Sequence, residues 1–173
     1  MRRPSIIGAI LVGGLIGGAL DLLFAVSFAG YNGAAPTKVF QTIASGILGN
    51  AAFSSGNWVS ALGLACHFGL SVLWATIFAV AAWQLPALTR RPLLVGIGFG
   101  LVVFICMRLV VLPLSAYPRP VTFKPLATAL DLLSHMLLFA TPIAVVVGRA
   151  IRARKRNNLF STNPHRGPAY FKR

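Results

Sequence analysis

The chain reads as an all-α polytopic membrane protein: four transmembrane helices in a bundle, plus a short interfacial or re-entrant helix in the first outer loop. Three observations predict this. The 173 residues are 57% hydrophobic and only 10% charged, too apolar to furnish the surface of a soluble domain. Four apolar runs, 5–28, 58–83, 92–114 and 126–148, are each long enough at about 1.5 Å per residue to cross a hydrocarbon core about 30 Å thick. The Lys and Arg residues lie mostly between those runs and in the tail, where topology signals are placed.

The first run opens after Arg2 and Arg3 and carries Gly13, Gly14, Gly17 and Gly18 at small-xxx-small spacing, followed on the same stripe by Asp21. Its basic start and apolar core also fit a signal peptide. Its length, Asp21 and the further spans that follow favour an uncleaved first helix. The loop segment 39–53, VFQTIASGILGNAAF, places Phe40, Ile43, Ile47 and Ala51 at helical spacing and is too short to span; this is the interfacial or re-entrant helix.

The second run is bracketed by Trp58 and Trp83, as interfacial aromatics bracket a span, and contains Cys66 and His67. Cys66 and Cys106 lie on different apolar runs and read as two free thiols. Arg91-Pro92 opens the third run and Pro113 closes it. The loop YPRPVTFKP that follows, with three prolines, should be extended. Pro142 within the fourth run predicts a kink.

Twelve Lys and Arg residues lie at the termini and between the second and third runs, against three (Lys38, Arg119 and Lys124) in the opposite loops. The positive-inside rule then places both termini in the cytoplasm of a multi-pass protein. The tail, 149–173, is basic and expected to be disordered. Its Arg152, Arg154, Lys155 and Arg156 serve as a topology signal or contact anionic lipid headgroups. The net charge of +14 is not a nucleic-acid signature here, because no zinc-finger, RRM or helix-turn-helix pattern accompanies it.

The polar residues inside the runs carry the functional argument. Arginine in hydrocarbon costs about 2.5–3.5 kcal/mol on insertion scales, so Arg108 needs partners within the protein. The chain holds two acids, Asp21 and Asp131, and both lie in apolar runs. Counting along the spans sets Asp21, His67, Arg108, Asp131 and His135 within roughly two helical turns of one level, in the outer half of the bilayer. Gly96 and Gly100 lead to Phe104 and Arg108 in steps of four on the third run. Packing that stripe against Gly14, Gly17 and Gly18 would set Asp21 beside Arg108, with Asp131 as the alternative partner.

Asp131 and His135, four apart, share a helix face. A carboxylate beside an imidazole fixes its tautomer and equips it to accept a proton. The plainer reading is that each histidine donates one interhelical hydrogen bond and holds the helices together. No catalytic signature is present: there is no Gly-x-Ser-x-Gly, Walker loop, His-Glu-x-x-His or dinucleotide fingerprint. No cofactor is expected, the alternative being haem b with His67 and His135 as axial ligands.

His67 in ACHFGLSVLW, Pro113 in VVLPLSA, and Asp131 separated by three residues from His135 ahead of a basic tail resemble the YagU-like family of small bacterial inner-membrane proteins. The likeness covers about the latter two thirds of the chain; the glycine-rich first run and the loop after it do not match. The resemblance implies the bacterial inner membrane and a part in acid tolerance, and supplies no biochemical activity. The function expected is a non-enzymatic, proton-responsive or proton-relaying membrane protein. The alternatives are a haem-binding electron-transfer protein or a structural or assembly subunit of a membrane complex. Its expected partners are the anionic bilayer, further copies of itself or a larger membrane complex, and not nucleic acid.

Overall fold

The computed structural model describes residues 5–162, and side chains as far as residue 157. Arg2, Arg3, Arg166, Lys172 and Arg173, used above for topology, lie outside the described residues. All regular structure among the described residues is helical, and four helices are long and apolar enough to cross a membrane.

The first, α1 (Ile6–Tyr31), is capped by Ser5, whose Oγ accepts from the Gly8 backbone N–H at 3.2 Å. Next comes α2 (Pro36–Leu48), with proline in its first turn. It ends at Gly49, whose φ of +58° lies in the left-handed region that glycine occupies without penalty. A 3-10 turn, Gly49–Phe53, leads to α3 (Trp58–Gln84), and a second, Pro86–Thr89, leads to α4 (Pro92–Leu114). The second and third expected spans match α3 and α4 within a residue.

The last two long helices contain widened turns. α4 (Pro92–Leu114) is α-helical over Pro92–Cys106, π-helical over Met107–Val111 and α-helical again over Leu112–Leu114. α5 consists of Pro125–Leu133, a π segment Ser134–Ala140, and Thr141–Thr162. In both, a proline stands two residues beyond the π segment: Pro113 and Pro142. A proline ring in a regular helix collides with the carbonyl four residues back and leaves it without its donor. Widening the preceding turn moves that carbonyl away. In α5 the Thr141 hydroxyl donates back to the Met136 carbonyl within the widened segment at 2.8 Å.

The tail does not begin as expected. From 149 to 162, helix continues without a break from α5, because this stretch is rich in Ala, Arg and Lys and free of proline. Disorder of the tail from 163 concerns residues outside those described.

α5 is the central helix. Ala140, Ile143, Ala144, Val147 and Ile151 are buried on it, against Ala75, Phe78, Ala79 and Ala82 of α3 and Val103 of α4. The glycines show which faces meet. A methyl group at Gly14 or Gly18 would press on Val72 or Ser71 of α3, and one at Gly13 or Gly17 on Ile143 or Phe139 of α5. At Gly96 and Gly100 it would press on Thr141 and on the His135–Met136 backbone of α5. The expected packing of the α1 glycines on the α4 glycines is therefore corrected: Gly14 and Gly18 pack on α3, while Gly13 and Gly17 of α1 and Gly96 and Gly100 of α4 pack on α5, which stands between α1 and α4. α2 lies across α3, where Gly63 lets the Phe40 backbone approach directly. Ala44, Ala52 and Val59 form a small second core there.

Candidate functional site

Arg108 and His135 each lie within a π segment, the first in Met107–Val111 and the second in Ser134–Ala140. Widened turns of this kind occur frequently at functional sites.

The Arg108 guanidinium donates from one terminal nitrogen to Asp131 Oδ2 at 2.8 Å and from the other to the Thr122 carbonyl at 3.0 Å. The rings of Phe104 and Phe123 flank it at 5.5 and 5.6 Å, a setting in which aromatic faces replace part of its lost hydration. This arrangement answers the cost of an intramembrane arginine with one ion pair, one carbonyl and two rings. The partner is Asp131, the alternative named from sequence, and not Asp21. The physical reason is the central position of α5, which brings Asp131 to α4 and keeps α1 away.

The imidazole of His135 connects the two acids. Its Nδ1 lies 2.9 Å from the Asp131 backbone carbonyl, 3.3 Å from Asp131 Oδ1 and 3.9 Å from Asp21 Oδ1. Asp21 Oδ1 also accepts from the Ser134 hydroxyl at 2.6 Å. A continuous set of contacts therefore runs Arg108–Asp131–His135–Asp21–Ser134 across α4, α5 and α1. The His135 and Asp21 side chains are 16% and 13% exposed, low enough that their mutual electrostatics are weakly screened.

His67 is not bonded to this set. Its Nε2 lies 2.8 Å from the Gly18 carbonyl of α1, and its own carbonyl accepts from Ser71. It shares a cavity with the others: a space of about 570 Å3 at the α2 end of the helices lined by Asp21, His67, Trp74, His135, Lys38 and Arg119, among others. Most of the wall is apolar. Haem ligation by both histidines would require His67 to give up the Gly18 carbonyl or to bind through Nδ1. Among the described residues, no group of three or more His, Cys, Asp or Glu is placed to hold a metal ion.

Several contributors were not singled out from sequence. Ser134 lies three residues after Asp131 and one before His135, so the helical wheel that paired those two also held it. Trp74 carries a buried Nε1 without a hydrogen-bond partner among the described residues. Lys38 and Arg119, counted only as loop charges, reach the cavity from the first turn of α2 and from the loop between α4 and α5. No sequence signal joins residues 81 positions apart.

At the opposite end, Lys155 donates to the Trp83 carbonyl at 2.7 Å, and Lys155 and Arg154 lie over the Trp83 ring at 5.1 and 5.9 Å. Arg152 and Arg156 border a second hollow of about 560 Å3 with Arg90, Arg149 and Lys155. No family model matches the chain, and no curated protein or solved structure matches it.

Proposed function

We propose that the chain is a non-enzymatic protein of the bacterial inner membrane that responds to or relays protons through His135, with both termini in the cytoplasm. The single observation that carries this reading is the convergence of the chain's two acids on one imidazole beside a cavity. Intramembrane ionisable groups are costly and mark pathways or ligand sites. Histidine is the side chain whose ordinary charge change falls in about the pH 5–8 range.

On this reading, α2 is the interfacial or re-entrant helix that lids the cavity from the periplasmic side. A proton arriving through the cavity is accepted at His135 Nε2, while Nδ1–H stays directed at Asp131. The groups facing the ring are Asp131 on its own helix, Asp21 from α1 and, through Asp131, Arg108 from α4. His67 of α3, Lys38 and Arg119 line the same space. Protonation gives the two acids a shared cation between them. Asp131 is then divided between Arg108 and His135, and Asp21 between Ser134 and His135. Loss of the proton returns Asp131 to Arg108, the fixed counter-charge. A change in protonation thus alters the forces between α1, α4 and α5. The resemblance to the YagU-like family, with its implied part in acid tolerance, agrees with a response of this kind.

The test is reconstitution in liposomes and comparison of the wild-type protein with His67→Ala/His135→Ala across about pH 5–8, by proton flux and tryptophan fluorescence. A pH response present in the wild type and lost in the variant is expected. An unaltered response removes the proton role.

A further inference from the structure

The cavity at the α2 end has a second chemical character that the imidazole does not use. Lys38, in the first turn of α2, and Arg119, in the α4–α5 loop, both stand over the ring of Phe53, at 5.5 and 4.7 Å. Neither pairs with an acid among the described residues, and both line the cavity. Two like charges gathered on one ring repel each other, and an anion between them relieves that repulsion.

Below these cations most of the wall is hydrocarbon, with Asp21, His67 and His135 as its polar part. Ala25 and Ala29 of α1, one helical turn apart, and Ala34 beyond them form one side with side chains too short to fill the space. Ile43, Leu70 and Met107 supply apolar surface from α2, α3 and α4. The volume of about 570 Å3 lies in the range, roughly 300–1,000 Å3, of pockets that enclose one small ligand between apolar walls and a few placed polar groups. The α4–α5 loop that carries Arg119 is tied to α2, since the Ala116 N–H donates to the Gly46 carbonyl at 2.9 Å. The two cations therefore belong to connected elements.

We propose that this cavity binds a single-chain anionic amphiphile, its head held between Lys38 and Arg119 and its hydrocarbon chain lying along Ala25, Ala29 and Leu70. Carboxylate and phosphate heads share the required chemistry: one compact anion on one apolar chain. The site goes beyond the proton reading and stands if His135 proves inert.

Trp74 lines the cavity and reports on it once Trp58 and Trp83 are changed to Phe. This single-tryptophan protein is placed in nanodiscs of zwitterionic phosphatidylcholine at alkaline pH. It is titrated with mid-chain-brominated stearate, with the methyl ester of that acid, and with a lysophosphatidic acid bearing the same chain. Bromine quenches the indole on contact. Saturable quenching by at least one of the two anions is expected, with only linear, partition-like quenching by the ester. Lys38→Gln/Arg119→Gln is expected to raise the half-saturation concentration by about tenfold or more, the scale of losing charge-assisted contacts to the head. Lys38→Arg/Arg119→Lys should bind as the parent does. Both positions are exposed, so the substitutions do not disturb the packed helices. Equal quenching by ester and acid, linear quenching by both anions, or an unchanged curve in the Gln variant overturns the proposal.

Discussion

His135 stands between the two carboxylates of this protein, its Nδ1 at 3.3 Å from Asp131 Oδ1 and 3.9 Å from Asp21 Oδ1. The two acids are 110 positions apart in the chain and reach the ring from different helices. Their effects on stability should therefore be coupled through it. In a double-mutant cycle with Asp21→Asn and His135→Gln, the interaction energy is expected to be about 0.5–3 kcal/mol, read from unfolding in detergent. Additivity would show that the 3.9 Å approach carries no energy.

Arg108 and Asp131 form the direct ion pair. Removing either partner leaves the other charge poorly compensated, so Arg108→Met and Asp131→Asn should each destabilise by about 1–3 kcal/mol. Arg108→Met with Asp131→Leu should lose less than the sum of the two. A charge swap distinguishes the candidate acids. Arg108→Asp with Asp131→Arg should recover more folded protein than either single change, whereas Arg108→Asp with Asp21→Arg should recover none. Recovery by the Asp21 swap alone would contradict the observed pairing.

The glycines divide sharply by what surrounds them. At Gly17 and Gly100 an added methyl would press on backbone of α5, at Phe139 and His135–Met136, while at Gly69 and Gly98 it meets nothing within 4 Å. Gly17→Ala and Gly100→Ala should each cost about 1–3 kcal/mol by overpacking. Gly69→Ala and Gly98→Ala should be neutral or slightly stabilising, because alanine has the better helix propensity. Thermal denaturation in one detergent suffices to rank the four.

His67 is a test of separateness. Its bond to the Gly18 carbonyl joins α3 to α1 and reaches neither acid. His67→Phe should cost about 0.6–2 kcal/mol, as interhelical polar contacts do, and leave the Asp21–His135 coupling energy unchanged. A collapse of that coupling in the His67 variant would place the residue inside the network.

Much of the site was legible in the residues because intramembrane charge is rare. Arg108, Asp21, Asp131 and His135 stand out in apolar runs, and the four-residue spacing of Asp131 and His135 sets them on one face. Ser134 lies on the same wheel and carries no distinct signal, because serine in a membrane helix is common. The pairing of Arg108 was not decidable, since two acids at similar depth satisfy the same energetic demand. Lys38 and Arg119 give no signal, because only the placing of α2 and of the α4–α5 loop brings them to Phe53.

The sequence by itself determined the number of the long apolar helices and the limits of the second and third: a backbone in hydrocarbon must satisfy its own hydrogen bonds, and only long apolar runs achieve this. It also determined which side chains could not be left facing lipid. Tertiary structure alone decided which helix occupies the centre, and with it the partner of every polar group. Glycine stripes announce close approach and do not name the surface approached, so α5, placed between α1 and α4, settled the pairing. The prolines that sequence reads as a stop and a kink each stand two residues beyond a widened turn, one carrying Arg108 and the other His135.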